Sequence, residues 1–278
     1  MKKHFPSSKK FSAPKKQENN LFSKVGDFYG ELKKKFSFLK WVDPFTYVDL
    51  FVMPQVKKVT DSEAVEFIVN VFFAFLFAWG LYAALGMAFG TSTPLVIVYS
   101  ASMEDTLFRG DVMALKKADI SSNFGPIVEL DEKIARVPSD IYVTPSYVNG
   151  SLSSLKFLNG QVVSPDEKAS IVVYTAYPSG LPIIHRAIAL VKAKDGYFIL
   201  TKGDNGATNP TFDQDCGNII GTGSQKPCIS YYATPVNELS GIAFFNVPKV
   251  GCVKLWLVDD LISIVASGAL PRDFRGYC

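Results

Sequence analysis

A serine, a histidine and an aspartate in this chain could together supply a nucleophile, a base and an orienting acid. Ser102 lies in the stretch Ser100-Ala-Ser-Met-Glu-Asp-Thr-Leu-Phe-Arg-Gly-Asp111, directly after the extended run Leu95-Val-Ile-Val-Tyr99. A small residue precedes Ser102, so its hydroxyl can face a substrate rather than a core. A serine hydroxyl is a weak nucleophile until a base takes its proton. Beyond the N-terminal region the chain offers one histidine, His185, within Pro182-Ile-Ile-His-Arg-Ala-Ile188. The β-branched neighbours put it on a strand or at a strand end, where a lone histidine is more often structural. Thr201-Lys-Gly-Asp-Asn205 then presents Asp204 at a turn, a place where aspartate commonly bonds to its own backbone. No spacing rule makes the three meet. Only a fold can do that.

The elements that would carry them are short strands. Leu95–Tyr99, Val112–Leu115, Ile171–Thr175, Ile183–Leu190, Tyr197–Thr201 and Ala243–Val247 are β-branched or aromatic runs punctuated by Gly, Pro, Asn and Asp. The reading is a mainly β domain over 91–252. Within it, 121–167 is poorer in pattern and reads as an insertion or subdomain rather than core sheet. Asn149-Gly-Ser151 has the form of a glycosylation acceptor and fits an exposed outer loop.

Upstream, the chain changes character. Phe67 to Gly90 carries no charged side chain and is long enough, at about 1.5 Å per residue, to cross a bilayer as a helix. Net charge is +3 overall, but residues 1–64 hold 13 Lys against 7 acidic residues, while the remainder is net acidic. A basic flank before the span places the N-terminus in the cytoplasm and the β domain outside. Nucleic acid is not the expected partner of that basic charge. Residues 1–20 read as a disordered cytoplasmic tail, 21–40 as a helix on anionic lipid, and 41–54 as an interfacial segment broken by Pro44 and Pro54. Residues 1–66 thus form a basic cytoplasmic tail with an interfacial segment, and 67–90 a transmembrane helix. Residues 253–278 form a C-terminal amphipathic helix and tail, because Asp259 and Asp260 interrupt the apolar run 255–270 and disfavour a second span.

Four cysteines, Cys216, Cys228, Cys252 and Cys278, all fall on the expected outer side. Cys216 and Cys228 would close a short Gly-rich loop, either as a disulfide in an oxidising compartment or as two free buried thiols. No CxxC pair exists and His4 is far from His185, so neither a zinc site nor a cofactor is expected.

In this order, an apolar span, Ser-x-Ser-Met-x-x-Thr-Leu with Arg-Gly-Asp, Pro-Ile-Ile-His-Arg and Thr-Lys-Gly-Asp-Asn resemble type I signal peptidase. The resemblance runs from about Phe67 to Gly241, and histidine in place of a lysine base points to the archaeal and endoplasmic-reticulum branch. It implies a signal-peptidase-like β domain on a single N-terminal transmembrane helix, with a short C-terminal helix. It implies Ser102 as nucleophile, His185 as base and Asp204 as acid. Ser100 would join the Ser102 amide at the oxyanion. A second family aspartate maps to Asp213, or less well to Asp215, in Asn209-Pro-Thr-Phe-Asp-Gln-Asp215; Asp204 or Asp213 would orient the imidazole. A serine–lysine dyad using Lys116 or Lys117 is disfavoured, and Arg109 and Arg186 read as salt-bridge partners.

The implied activity is a membrane-bound serine endopeptidase that cuts signal peptides from preproteins after small residues. Val96, Val98, Met103 and the 171–175 strand would line narrow substrate pockets. The implied partners are signal peptides, the lipid bilayer and the protein-export channel. The catalytic domain would face the outside of a cell membrane or the lumen of the endoplasmic reticulum. One departure stands out: the family has proline two residues after Met103, and this chain has Asp105. That charge motivates an alternative, a non-catalytic relative that binds peptides or partners.

Overall fold

The computed structural model of the protein describes residues 44–60, 62–217, 228–270 and 278. The tail expected at 1–20 and the lipid-lying helix expected at 21–40 lie outside them. The chain divides into two compact units, with the boundary between Gly80 and Leu81.

Helix α1 (Pro44–Tyr47) continues through a π-helical stretch, Val48–Val52, into α2 (Met53–Val59). The prolines do not break this run as the sequence suggested. Pro44 opens it, and Pro54 sits in the first turn of α2, directly after the π-helical stretch. Helix α3 (Glu63–Phe89) begins four residues before the apolar run. Glu63 and Glu66 occupy its first turn, where their charge complements the helix dipole. None of its side chains is buried, and it is long and apolar enough to cross a membrane.

The second unit is built on strands β1 (Leu95–Ile97), β2 (Val112–Lys116), β3 (Ile127–Glu129), β4 (Val143–Val148), β5 (Ser151–Phe157), β6 (Val162–Val163), β7 (Ile171–Thr175), β8 (Pro182–Ala193), β9 (Gly196–Lys202), β10 (Thr234–Pro235) and β11 (Gly241–Val247). Each β-branched run of the sequence forms a strand. The main sheet has the order β1-β2-β11-β7-β8-β9-β10, with antiparallel neighbours throughout. β3 adds to β8 in parallel, so part of 121–167 does belong to the main sheet. The rest makes a small antiparallel sheet, β4-β5-β6. Asn149 and Gly150 close the β4–β5 hairpin with φ of +51° and +80°, the left-handed pair that a two-residue hairpin turn requires.

β8 is the spine of the core. Ala187 to Val191 are buried in succession because both faces of the strand are covered. Ile188, Ala189 and Val191 pack with Val143, Leu155 and Phe157 of the small sheet. Ala187 and Leu190 pack on the other side with Phe124, Val172 and Tyr174.

The C-terminal segment comprises α4 (Cys252–Lys254), a π-helical stretch, Leu255–Asp260, and α5 (Leu261–Ser267). The segment is short and helical, as the sequence suggested, and buries a charged residue. Leu255 and Asp260 are buried, while Trp256, Leu257, Leu261, Ile262 and Val265 are exposed. The reason is Arg109, buried at 3% exposure, which needs a counter-charge. Its Nη2 donates to Asp260 Oδ1 at 3.0 Å, its Nε to the Cys278 carbonyl at 2.6 Å and its Nη1 to the Tyr99 carbonyl at 3.0 Å. A Cys252–Cys278 disulfide fastens the same corner.

Candidate active site

Ser102 sits in the tight turn that follows β1. Glu104 N–H returns to the Ala101 carbonyl at 3.1 Å and Leu107 N–H to the Met103 carbonyl at 2.8 Å. Ser102 Oγ lies 3.0 Å from Ser100 Oγ, and the Ser102 amide reaches the same Ser100 oxygen at 3.5 Å. Asp105 in this turn is exposed and has φ +78°. Proline is held near φ −65°, so the family's residue could not occupy this backbone, whereas aspartate tolerates the left-handed region. The substitution belongs to the shape of the turn.

His185 lies on β8, 2% exposed, with Nδ1 at 2.7 Å from Asp213 Oδ2. Of the two aspartates the sequence left open, Asp213 is the one on the imidazole. It comes from the segment after β9, and its amide donates to the Thr201 carbonyl at 2.8 Å. Ile229 and Ser230, just past Cys228, donate to the Asp213 carbonyl at 3.0 Å each. The Cys216–Cys228 disulfide joins these two segments. Burial alone would raise the Asp213 carboxyl. The charge of His185 and hydrogen bonds from His185, Thr201 and Tyr174 outweigh it and hold the group below its ordinary range. Asp215 turns elsewhere and bonds to the Tyr147 hydroxyl of β4.

Asp204 is not on the imidazole. Arg186 grips it from β8 through Nε at 2.8 Å and Nη2 at 2.6 Å, and Thr106 of the Ser102 turn donates to Oδ2 at 2.7 Å. Its neighbour Asn205 donates its amide to the Ser102 carbonyl at 3.0 Å and Nδ2 to the Ala101 carbonyl at 2.9 Å. The Lys-Gly-Asp-Asn turn is therefore a clamp on the Ser102 turn. Gly203 makes it fit: a Cβ there would stand 2.6 Å from the Ser102 carbonyl oxygen. Sequence reasoning missed this clamp. The Thr106, Arg186, Asp204 and Asn205 side chains were the available signal.

Ser100, Ser102 and His185 line one cleft of about 330 Å³. Its walls are apolar, from Val96, Val173, Ile183, Ile184 and Ile229. Of the pocket residues expected from strand alternation, Val96 faces the cleft. Val98 and Met103 do not: they pack in the core with Leu107, Met113 and Leu115. Val98 pairs through its backbone with Gly110 and Asp111, and its side chain is buried. Ile229, carried in from beyond β9, had no sequence signal. Among the described residues no cluster of His, Cys, Asp or Glu converges as metal ligands would.

No family model matches the chain. Curated proteins do match it. The signal peptidase complex catalytic subunit sec11 of Schizosaccharomyces pombe is 24% identical over 203 residues, covering 73% of this chain and 87% of the relative. The SEC11 catalytic subunit of Clavispora lusitaniae is 23% identical, covering 70% and 83%, and that of Saccharomyces cerevisiae is 23% identical, covering 69% and 83%. In sequence and in the order of its motifs the chain is similar to these signal peptidase catalytic subunits, and its mainly antiparallel β domain is consistent with that likeness.

Proposed function

We propose that this chain is a membrane-anchored serine endopeptidase that removes signal peptides from preproteins. One observation carries the reading: a histidine whose Nδ1 is held by a buried aspartate lines the same apolar cleft as Ser100 and Ser102. Asp213 keeps the proton on Nδ1, which leaves Nε2 as the base. Ser102 turns from Ser100 toward the imidazole as substrate enters, since catalytic hydrogen bonds commonly tighten only in the complex. Nε2 takes the Ser102 proton as Oγ attacks the scissile carbonyl. Ser100 Oγ and the Ser102 amide steady the oxyanion, roughly 3 kcal/mol per donor. The imidazolium then protonates the leaving amine, and water hydrolyses the acyl-enzyme by the same route in reverse.

β1 is the edge of the main sheet and borders the cleft, so an extended peptide can add alongside it by backbone pairing. The narrow apolar walls favour small side chains at the cleavage site. Helix α3 anchors the domain, with the Lys-rich side in the cytoplasm and the disulfides in an oxidising compartment. The partners are signal peptides, lipid and, as in the complexes of its relatives, companion subunits. The test is cleavage of a preprotein by the detergent-solubilised protein beside Ser102→Ala and His185→Ala. Cleavage by the wild type and loss in both variants is the expected result; an uncut preprotein in all three would overturn it.

A further inference from the structure

Asp213 receives more donors than the imidazole requires. Tyr174 Oη donates to Asp213 Oδ2 at 2.7 Å and Thr201 Oγ1 donates to it at 2.6 Å, on the oxygen that already accepts His185 Nδ1–H at 2.7 Å. The other oxygen, Oδ1, is buried and has no hydrogen-bond partner. All three donors therefore converge on the one oxygen that faces the histidine. Tyr174 is on β7, two residues along from Val172, the register partner of His185 on β8, and its ring is wholly buried with Val172, Ala187 and Ile199. A buried tyrosine hydroxyl needs some partner, but a carbonyl would have served. Burial, and then the charge of Asp213, push the Tyr174 hydroxyl well above its usual range, so it stays a donor. Gln214 holds Thr201 in turn, with Nε2 donating to Thr201 Oγ1 at 3.2 Å and Oε1 accepting the Thr201 amide at 3.1 Å.

We propose that Tyr174 is a positioning residue for the His185–Asp213 pair: its hydroxyl selects the carboxylate oxygen that faces the imidazole and moderates how strongly that oxygen holds the imidazolium. The proposal rests on the peptidase reading for its role in catalysis. Its physical basis is simple. Donors that stabilise a carboxylate make it less basic, and a less basic carboxylate stabilises the neighbouring imidazolium less. Loss of the Tyr174 hydroxyl should therefore let the carboxylate hold the imidazolium more tightly. The charged groups around the pair are Lys202 on β9, the Arg186–Asp204 ion pair, and Asp215 on the segment beyond Asp213.

The experiment is Tyr174→Phe, with Thr201→Val as a second variant emptying the same oxygen of its other hydroxyl. The His185 imidazole is titrated by NMR in detergent solution in a Ser102→Ala, His4→Gln background, where it is the remaining histidine. The acid limb of kcat/KM against pH is followed separately with Ser102 intact. Either substitution is expected to raise the imidazole pKa by roughly half a unit to one unit. The acid limb moves with it, and kcat/KM at neutral pH falls, by at most about threefold to tenfold, with KM little changed. An imidazole that titrates as in the parent in both folded variants overturns the proposal and leaves Tyr174 as a satisfied core donor. The NMR result stands even if the wild type cuts no preprotein, so the failure of each reading is distinguishable.

Discussion

Asn205 donates its backbone N–H to the carbonyl oxygen of Ser102 at 3.0 Å, so the turn that ends β9 grips the turn that carries the proposed nucleophile. With the Arg186–Asp204–Thr106 chain beside it, this contact gives the two aspartates separate roles. Asp204 holds a loop, and Asp213 holds the imidazole.

The two aspartates should therefore fail differently. Asp213→Asn removes the acceptor that fixes the imidazole tautomer and is expected to lower kcat about 10⁴-fold, as loss of a triad aspartate does elsewhere. Asp204→Asn lets the Ser102 turn shift and is expected to lower kcat/KM by about a hundredfold at most, without moving the acid limb of the pH profile. Steady-state kinetics of the two variants across pH check this.

Gly203 tests the clamp by sterics alone. A Cβ at 2.6 Å from the Ser102 carbonyl must push one of the two turns aside. Gly203→Ala is expected to destabilise the protein by about 1–3 kcal/mol, as overpacking does, and to lower activity more than Gly150→Ala. Gly150 has open space around it, although its φ of +80° is also strained by a side chain. Thermal melts and cleavage rates compare the pair.

Much of this site was legible in the residues. The strands follow from β-branched runs, and Ser102 and His185 fall where those runs end or cross. The division of labour between the aspartates was not legible, because it depends on strand register. Arg186 pairs with Lys202 across β8 and β9, which brings its guanidinium to Asp204 two residues on. The burial of Asp260 was hidden for a similar reason: its partner is an arginine 151 positions away, and no local pattern encodes that pair. Val98 and Met103 pack in the core with Leu107, Met113 and Leu115, partners that alternation along one strand does not reveal.

Arg109 and Asp260 form a buried pair, with side chains 4% and 6% exposed. Asp260→Ala leaves the Arg109 charge uncompensated and is expected to cost about 3–5 kcal/mol. Arg109→Met combined with Asp260→Leu should recover much of that loss. Chemical denaturation of the two variants beside the parent checks it, and an Asp260→Ala variant as stable as the parent would contradict it.

The pH dependence of stability follows from Asp213. Its folded pKa lies below the unfolded value of about 3.9, so folding favours the ionised form. That contribution is fully present above the unfolded pKa and is lost as pH falls through the lower folded one. Denaturation midpoints should drop below about pH 4 in the parent. The Asp213→Asn variant should lose that part of the decline.

The most direct test is a single-turnover reaction of preprotein with excess enzyme, quenched in acid and read by mass spectrometry. The expected result is cleavage by the wild type with the acyl group on the peptide that holds Ser102, and neither cleavage nor adduct with Ser102→Ala. Cleavage at an undiminished rate by Ser102→Ala would contradict the assignment of Ser102 as the nucleophile.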